Sequence, residues 1–325
     1  MKVLLIDADS VIPNIVLMKL SQYYKNKGAT VKLIRLNIPY YPNKKKIDHK
    51  IKETNNVDLA FCSVIFKDNA KYIWGRNINF GGTGVNLYKT LPDKIENLAP
   101  DYSLYPECDI SYGFISRGCI RNCFFCCVPK KEGKLRQVNT IDDIVKHKKV
   151  KFLDNNFLAL PNHKILLREL ITKKINCQFN QGLDIRLIDK ENSELLNKLN
   201  YLGDYTFAFD SIEYKKVIEN KLKFLSWRKA FQLKFFVYIH PNMNLSETVL
   251  RIKYLKKWQC LPYIMRDISC WDNEYSDFYI DLAAWCNQPN IFKKMNFSSF
   301  LKKRHTGKNR QNRIFNSLTL YENSL

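Results

Sequence analysis

The sequence predicts an α/β protein in two parts, a small parallel-sheet domain and then a longer succession of six strand–helix units, ending in a basic C-terminal segment. Three observations predict this. The opening stretch alternates a short apolar run, a segment of helical apolar spacing and two further β-branched or aromatic runs, which is the pattern of a βαβ unit on a parallel sheet. From residue 110 onward, six more strand-like runs are separated by segments long enough for a helix. Finally, 325 residues with 46% hydrophobic content can bury a full core, in one large domain or two smaller ones.

Residues 3–7 form an apolar run that ends in acid, and Ile12, Ile15, Val16, Leu20 and Tyr23 then repeat at helical spacing until Gly28. Residues 31–36 and 59–66 add two strands, so residues 1–90 read as a Rossmann-like N-terminal domain. The stretch NFGGTG, residues 79–84, lacks the spacing of a dinucleotide fingerprint or a P-loop and reads as a tight turn after a strand. Residues 91–109 are proline-punctuated and read as a linker.

The six later strands are expected at residues 111–115, 150–153, 177–179, 205–209, 235–239 and 261–265. Residues 190–202 and 246–258 carry helical spacing, and Thr140 with Asp143 offers a helix N-cap and an acidic first turn. Six βα units in sequence suggest a partial (β/α)6 barrel over residues 110–270, with residues 271–325 as a helical, basic extension. Ligands of such a barrel gather at the C-terminal ends of its strands. Polar residues stand there: Asp154, Asn155 and Asn156 after the second strand, Asn180 and Gln181 after the third, Asp210 and Ser211 after the fourth, His240 and Asn242 after the fifth. Asn and Asp are common in turns, but their recurrence at each strand end marks a candidate site.

Four of the ten cysteines lie in ISRGCIRNCFFCCVP, residues 115–129. Cys119, Cys123 and Cys126 make C-x3-C-x2-C, a spacing that lets one short loop bring three thiolates to a single inorganic cluster. A four-iron cluster has four corners, so three ligands leave one iron open to a small molecule. The alternative is structural zinc, which wants four ligands and would have to recruit Cys108 or His147, because Cys127 adjoins Cys126 too closely. The scattered Cys62, Cys177, Cys260, Cys270 and Cys286 read as core residues, as do most of the tryptophans.

The motif C119-IRN-C123-FF-C126, following a strand and opening a βα series, resembles the signature of the radical S-adenosylmethionine (radical SAM) superfamily, with Phe125 at the usual aromatic position. The resemblance covers about residues 110–270. It implies a 4Fe-4S cluster held by Cys119, Cys123 and Cys126, with S-adenosyl-L-methionine chelating the fourth iron. It further implies reductive cleavage to a 5'-deoxyadenosyl radical that abstracts hydrogen from a substrate, with the electron coming from an external flavodoxin- or ferredoxin-like donor. Asp154, Asn155 and Asn156 match the position of the family's Gly-Gly-Glu motif at the SAM amino group, although the residues differ. Asp210 matches a position of ribose contacts, Gln181 or Arg186 would face SAM or substrate, and His240 with Pro241 replaces the glycine-containing fifth-strand motif. Arg117 belongs to the shared RGC sequence. An α/β domain ahead of the barrel resembles cobalamin-binding and methylthiotransferase-type members, but residues 7–14, DADSVIPN, hold no histidine for cobalt, and Cys62 and Cys108 are too few for a second cluster.

The net charge of +22 fits a nucleic-acid or nucleotide-containing substrate, or else a solvated lysine-rich surface. The basic stretch after residue 287, with interleaved Phe, reads as a surface helix and terminus, with a nucleic-acid grip as the alternative. Without a long apolar run or a secretory leader, no membrane partner and a cytoplasmic location are expected. The rival function is a zinc-stabilised, non-catalytic nucleic-acid-binding protein.

Overall fold

The computed structural model describes residues 1–39, 44–306 and 311–322. The chain is mixed α/β with several parallel sheets and divides into two compact units. Unit one comprises Met1–Phe114, Cys123–Gly133 and Asn139–Val150, and unit two comprises Ile115–Asn122, Lys134–Val138 and Lys151–Leu325. The division therefore falls inside the cysteine loop, not in the segment after residue 90.

Unit one is built on β1 (Lys2–Asp7), α1 (Ile15–Lys25), β2 (Thr30–Arg35), β3 (Leu59–Ser63) and β4 (Ile78–Gly81). The strands form an all-parallel sheet in the order β2-β1-β3-β4, with Val3 opposite both Val31 and Leu59. Because side chains alternate along a strand, β1 feeds two cores. Leu4 and Ile6 join Ala60 and Cys62 on one face, while Val3 and Leu5 meet Leu17 and Leu20 of α1 on the other. A strand buried on both faces is what a parallel sheet requires. Asn14 stops the loop after β1 by accepting the Leu17 N–H on its side chain, which caps α1.

Residues 79–84 supply the end of β4 and then a turn. Gly82 has φ +95°, and a Cβ there would lie 2.3 Å from the Val64 carbonyl oxygen, so the glycines serve close backbone packing. Residues 91–109, expected as a linker, instead carry a helical turn at Asp93–Glu96 and pack on unit one. Ile95 and Leu104 join its core, and Tyr105 is 1% exposed. The prolines signal irregular backbone there, but the apolar residues between them hold it in place. Unit one also contains β5 (Ile110–Gly113) and the helical turn Ile141–Ile144, where Thr140 and Asp143 form a reciprocal capping box.

Unit two carries the end of β6 (Lys149–Phe152), α2 (His163–Thr172), β7 (Asn176–Phe179), α3 (Lys190–Lys198), β8 (Tyr205–Ala208), α4 (Lys215–Leu222), β9 (Leu233–Ile239), α5 (Leu245–Lys257) and β10 (Leu261–Arg266). All six strands expected after residue 110 are present. Helix α3 ends earlier than its spacing suggested, because Asn200–Tyr201 leaves it to pair with β7. Strands β8, β9 and β10 form a parallel sheet in sequence order. Leu183 donates its N–H to Thr206 O at 2.8 Å, a parallel bridge that continues the series from the β7 side, and Asn180 N–H donates to Phe152 O at 2.8 Å.

Along β9, Leu233, Phe235, Val237 and Ile239 are buried with Val249, Ile252 and Leu255 of α5, whereas Lys234, Phe236 and Tyr238 on the other face are half-buried. On β10 the same face exposes Tyr263 by 40% and Met265 by 44%. One face of this parallel sheet is thus only partly covered, most exposed at Ala208, Tyr263 and Met265.

The C-terminal region is helical: α6 (Ser276–Cys286), α7 (Pro289–Lys294), α8 (Phe297–Arg304) and α9 (Gln311–Glu322). Trp285 packs on Phe292 and Phe297 with ring centroids 4.8 and 5.3 Å away. Asp281, fully buried, takes Arg304, His305 and Arg313, each at 3.0 Å, so arginines and a histidine of the basic stretch serve as internal ties. Residues 307–310 of that stretch lie outside the described residues.

Candidate functional site

The motif loop starts from a fixed point. Asp154, 1% exposed at the end of β6, accepts the Ile115 N–H at 3.2 Å, the Ser116 N–H at 2.5 Å and the Ser116 hydroxyl at 2.6 Å. Burial pushes its pKa up to about 6, with the Ser116 and Ile115 hydrogen bonds opposing. Ser116–Arg117 then pairs antiparallel with Arg136–Gln137, and Gly118 turns the chain at φ +81° into Cys119.

Cys119 is half-buried in unit two, and its Sγ receives the Arg121 N–H at 3.3 Å and Asn156 Nδ2 at 3.7 Å. Cys123 and Cys126 belong to unit one. There the Cys126 N–H donates to Cys123 O at 3.0 Å in a tight turn, and the Val128 N–H approaches Cys126 Sγ at 3.5 Å. Phe125 is half-buried and meets Phe124 edge-on at 5.2 Å. Cys127 is exposed.

Asn156 is the unusual residue. It is 3% exposed, its Nδ2 reaches Cys119 Sγ and Asp184 Oδ2 (3.4 Å), yet its Oδ1 is buried with no hydrogen-bond partner among the described residues. A buried amide oxygen without a donor costs on the order of 1–3 kcal/mol, so a donor group, from water or a ligand, is expected there. Asn155, beside it, is half-buried.

Asp184, which follows β7, gathers cations around this point. Its side chain is 7% exposed and binds Arg121 Nε at 2.8 Å and Arg186 Nε at 2.7 Å. Burial acts to raise its pKa, but the Arg186 and Arg121 hydrogen bonds outweigh burial and hold it below the usual carboxylate range. Gln181 is exposed nearby in sequence, and Gly182 (φ +85°) lets the turn run against β8, where a Cβ would lie 3.0 Å from Thr206 O.

Further along the strand ends, Asp210 is half-buried and accepts the Tyr238 N–H at 3.1 Å. Burial raises its pKa, with that backbone bond and the charges of Arg251 and Arg186 opposing. Arg251, 1% exposed on α5, donates to Phe209 O at 2.8 Å and to Tyr238 O at 3.2 Å, tying the ends of β8 and β9 together. His240 accepts the Asn242 N–H on Nδ1 at 3.0 Å, which leaves Nε2 as the proton carrier of the neutral ring, 3.9 Å from Asp267 Oδ1. The Tyr238 hydroxyl donates to Asp267 Oδ2 at 2.7 Å. For Asp267 burial would raise the pKa, but hydrogen bonds from Ser269 and Tyr238 prevail and lower it.

The sequence-derived residues Cys119, Asn156, Asp210 and His240 all stand at one edge of unit two, whereas Asp154 spends its oxygens on the loop backbone. Arg121, Asp184, Tyr238 and Arg251 were not legible in the sequence, and Asp267 was missed. Asp267 obeys the strand-end rule at the sixth strand, and that signal was available.

Among the described residues, no three His, Cys, Asp or Glu side chains converge into a group that could hold a metal ion. By residue type alone, cysteine thiols are the donors that iron–sulfur ligation uses. Three thiols lie within eight residues, backbone N–H groups point at two of the sulfurs, and an unsatisfied amide oxygen stands beside the first. Cys108 and His147, the recruits a zinc site would need, are engaged with Ile110 O and the Ser111 hydroxyl. Cys62, Cys177, Cys260, Cys270 and Cys286 are buried.

Comparison with protein-family models, curated proteins and solved structures returns no match. Among the described residues, no helix is long and apolar enough to cross a membrane.

Proposed function

We propose that this protein is a radical SAM enzyme, with a Rossmann-like N-terminal domain, a partial barrel, and a 4Fe-4S cluster held by Cys119, Cys123 and Cys126. The observation that carries the proposal is the buried, unpartnered Oδ1 of Asn156 on a side chain that touches Cys119 Sγ. A ligand with a hydrogen-bond donor, such as the amino group of S-adenosylmethionine, would satisfy it.

When bound, the cluster and S-adenosylmethionine would supply a 5'-deoxyadenosyl radical for hydrogen abstraction, given one electron from an external donor. The chain's own residues bind and orient. Asp154, at the end of β6, pins the start of the motif loop at Ile115 and Ser116, so that Cys119 stands beside Asn156. Asp267, whose hydrogen bonds hold its pKa low, places negative charge at the end of β10, suited to a cationic sulfonium and ammonium, and Asp210 offers carboxyl oxygens after β8. Arg251 holds two strand ends at a fixed spacing from inside the unit. The partly covered face bearing Tyr263 and Met265 offers apolar surface to a substrate, with a nucleoside or nucleic acid favoured by the charge of +22.

Anaerobic reconstitution tests this. The expected product is a brown protein with about four irons per chain, which releases 5'-deoxyadenosine on addition of dithionite and S-adenosylmethionine. A colourless protein with one zinc, binding nucleic acid without iron or S-adenosylmethionine, overturns it in favour of the non-catalytic alternative.

A further inference from the structure

We infer that Asp184 is the positioning residue that aims the motif loop: one buried carboxylate holds Arg121 of the loop, Arg186 and Asn156 together, and through them sets Cys119. The inference rests on the proposal that Cys119 is a cluster ligand, and it concerns a residue outside the motif.

The geometry is directional. Arg186 grips both carboxylate oxygens, Nε to Oδ1 at 2.7 Å and Nη2 to Oδ2 at 3.1 Å, and its backbone N–H adds a bond to Oδ1 at 3.2 Å. The Arg186 guanidinium also lies 4.5 Å from the centroid of the Tyr214 ring, so this partner is anchored from a second side. Arg121 is the partner that belongs to the loop. Its Nε meets Oδ2 at 2.8 Å, and its backbone N–H is the one that bonds Cys119 Sγ at 3.3 Å. Asn156 completes the set, with Nδ2 3.4 Å from Asp184 Oδ2 and 3.7 Å from Cys119 Sγ.

Charge-assisted bonds to a planar guanidinium fix direction as well as distance. With the carboxylate at 7% side-chain exposure, little water competes for it. Without its charge, the Arg121 and Arg186 guanidinium groups would share one space with nothing between them. Arg121 would swing outward and take the Cys119 backbone with it.

The test uses the full chain, first reduced and free of iron. Each cysteine is labelled with N-ethylmaleimide and followed by mass spectrometry in wild type, Arg121→Gln, Arg121→Lys, Asp184→Asn and the Arg121→Gln/Asp184→Asn double variant. Both single removals are expected to speed Cys119 labelling by about fivefold, the scale of one charge-assisted pair. The double variant should label like either single, and Arg121→Lys should recover most of the protection. Exposed Cys127 should keep its rate throughout. Unchanged Cys119 labelling in Arg121→Gln, or effects that multiply in the double variant, overturns the inference. If Asp184→Asn also exposes buried Cys177, the variant has loosened the fold, and Arg121→Gln, which leaves the Asp184–Arg186 pair intact, decides alone. Reconstitution of the same set separates the two claims. Wild type that takes up no iron defeats the cluster proposal whatever the labelling. Iron uptake with no change at Cys119 in Arg121→Gln defeats the positioning role only. Redox titration supplies a readout beyond structure, since loss of the Arg121 cation should move the cluster's midpoint potential to more negative values.

Discussion

The loops at the C-terminal edge of the unit-one sheet and those at the strand ends of unit two use the same residue types, Asp, Asn and Ser, but treat them differently. In unit one the side chains close on one another and on nearby backbone. Asp9 accepts the Ile65 N–H at 2.8 Å, the Phe66 N–H at 3.1 Å and Asn69 Nδ2 at 2.8 Å. Asn14 donates to the hydroxyls of Ser10 and Ser63, both at 2.8 Å, while its oxygen caps α1. Asp7 accepts the Tyr105 hydroxyl at 2.9 Å and the Ser10 N–H at 3.1 Å. In unit two, by contrast, Asn156 keeps a buried oxygen unpaired beside a cysteine of the motif. A saturated network holds a fold, whereas an unsaturated one has room for a further donor, from water or a ligand.

The sharpest way to break this contrast is to remove a motif cysteine. Cys123→Ala should abolish iron uptake while leaving the urea midpoint of the iron-free protein within experimental scatter. Retained iron would mean that another residue holds the metal. Next in size is the saturated side. Asp9→Ala strands two backbone N–H groups and Asn69 in unit one, and should cost about 3 kcal/mol in urea unfolding of the iron-free chain. Arg251→Met, which uncovers the carbonyls of Phe209 and Tyr238, should cost a similar amount.

Asp154 gives a pH signature. Its folded pKa stands near 6 against an ordinary value of 3.8, so between those values the folded chain holds a proton that the unfolded chain has released. Stability from this group is therefore full below about pH 4 and falls as pH rises to about 6, by on the order of 2–3 kcal/mol. Asp154→Asn should remove that slope from the difference between variant and wild type, measured by denaturant titration across the range. The smallest effect belongs to Asn156. Replacing it with Ala removes an oxygen that is already unsatisfied and two long Nδ2 contacts, so the iron-free protein should lose about 1 kcal/mol or less. S-adenosylmethionine binding to reconstituted protein, followed by calorimetry, should nevertheless weaken at least about tenfold, the loss of one buried hydrogen bond. If Asn156→Ala destabilised as much as Asp9→Ala and left binding unchanged, the two regions would be alike and the contrast would fail.

Much of the fold is legible in the sequence. The strands announced themselves because a parallel strand buried on both faces must be an apolar run, as at residues 3–7 and 235–239, and the cysteine spacing stood out on its own. Asn156 was reachable from its place at a strand end. Asp184 was not, because Leu183-Asp184-Ile185-Arg186 looks like any turn entering a short helix, and its meaning lies in Arg121, far away in sequence. Arg251 was hidden for a related reason. It sits among lysines on α5, and only the packing of that helix turns it inward. Tyr238 sits on the half-open face of β9, which the aromatic run KFFVYI cannot distinguish from the buried one. The division within the motif loop was equally out of reach, since it depends on which side chains each half of the loop packs against.

The most direct test of the central claim is low-temperature electron paramagnetic resonance on anaerobically reconstituted, dithionite-reduced protein, titrated with S-adenosylmethionine. A cluster signal whose shape changes on addition, and changes less in Asn156→Ala, is the predicted result. A wild-type signal that stays the same at saturating S-adenosylmethionine would contradict the account.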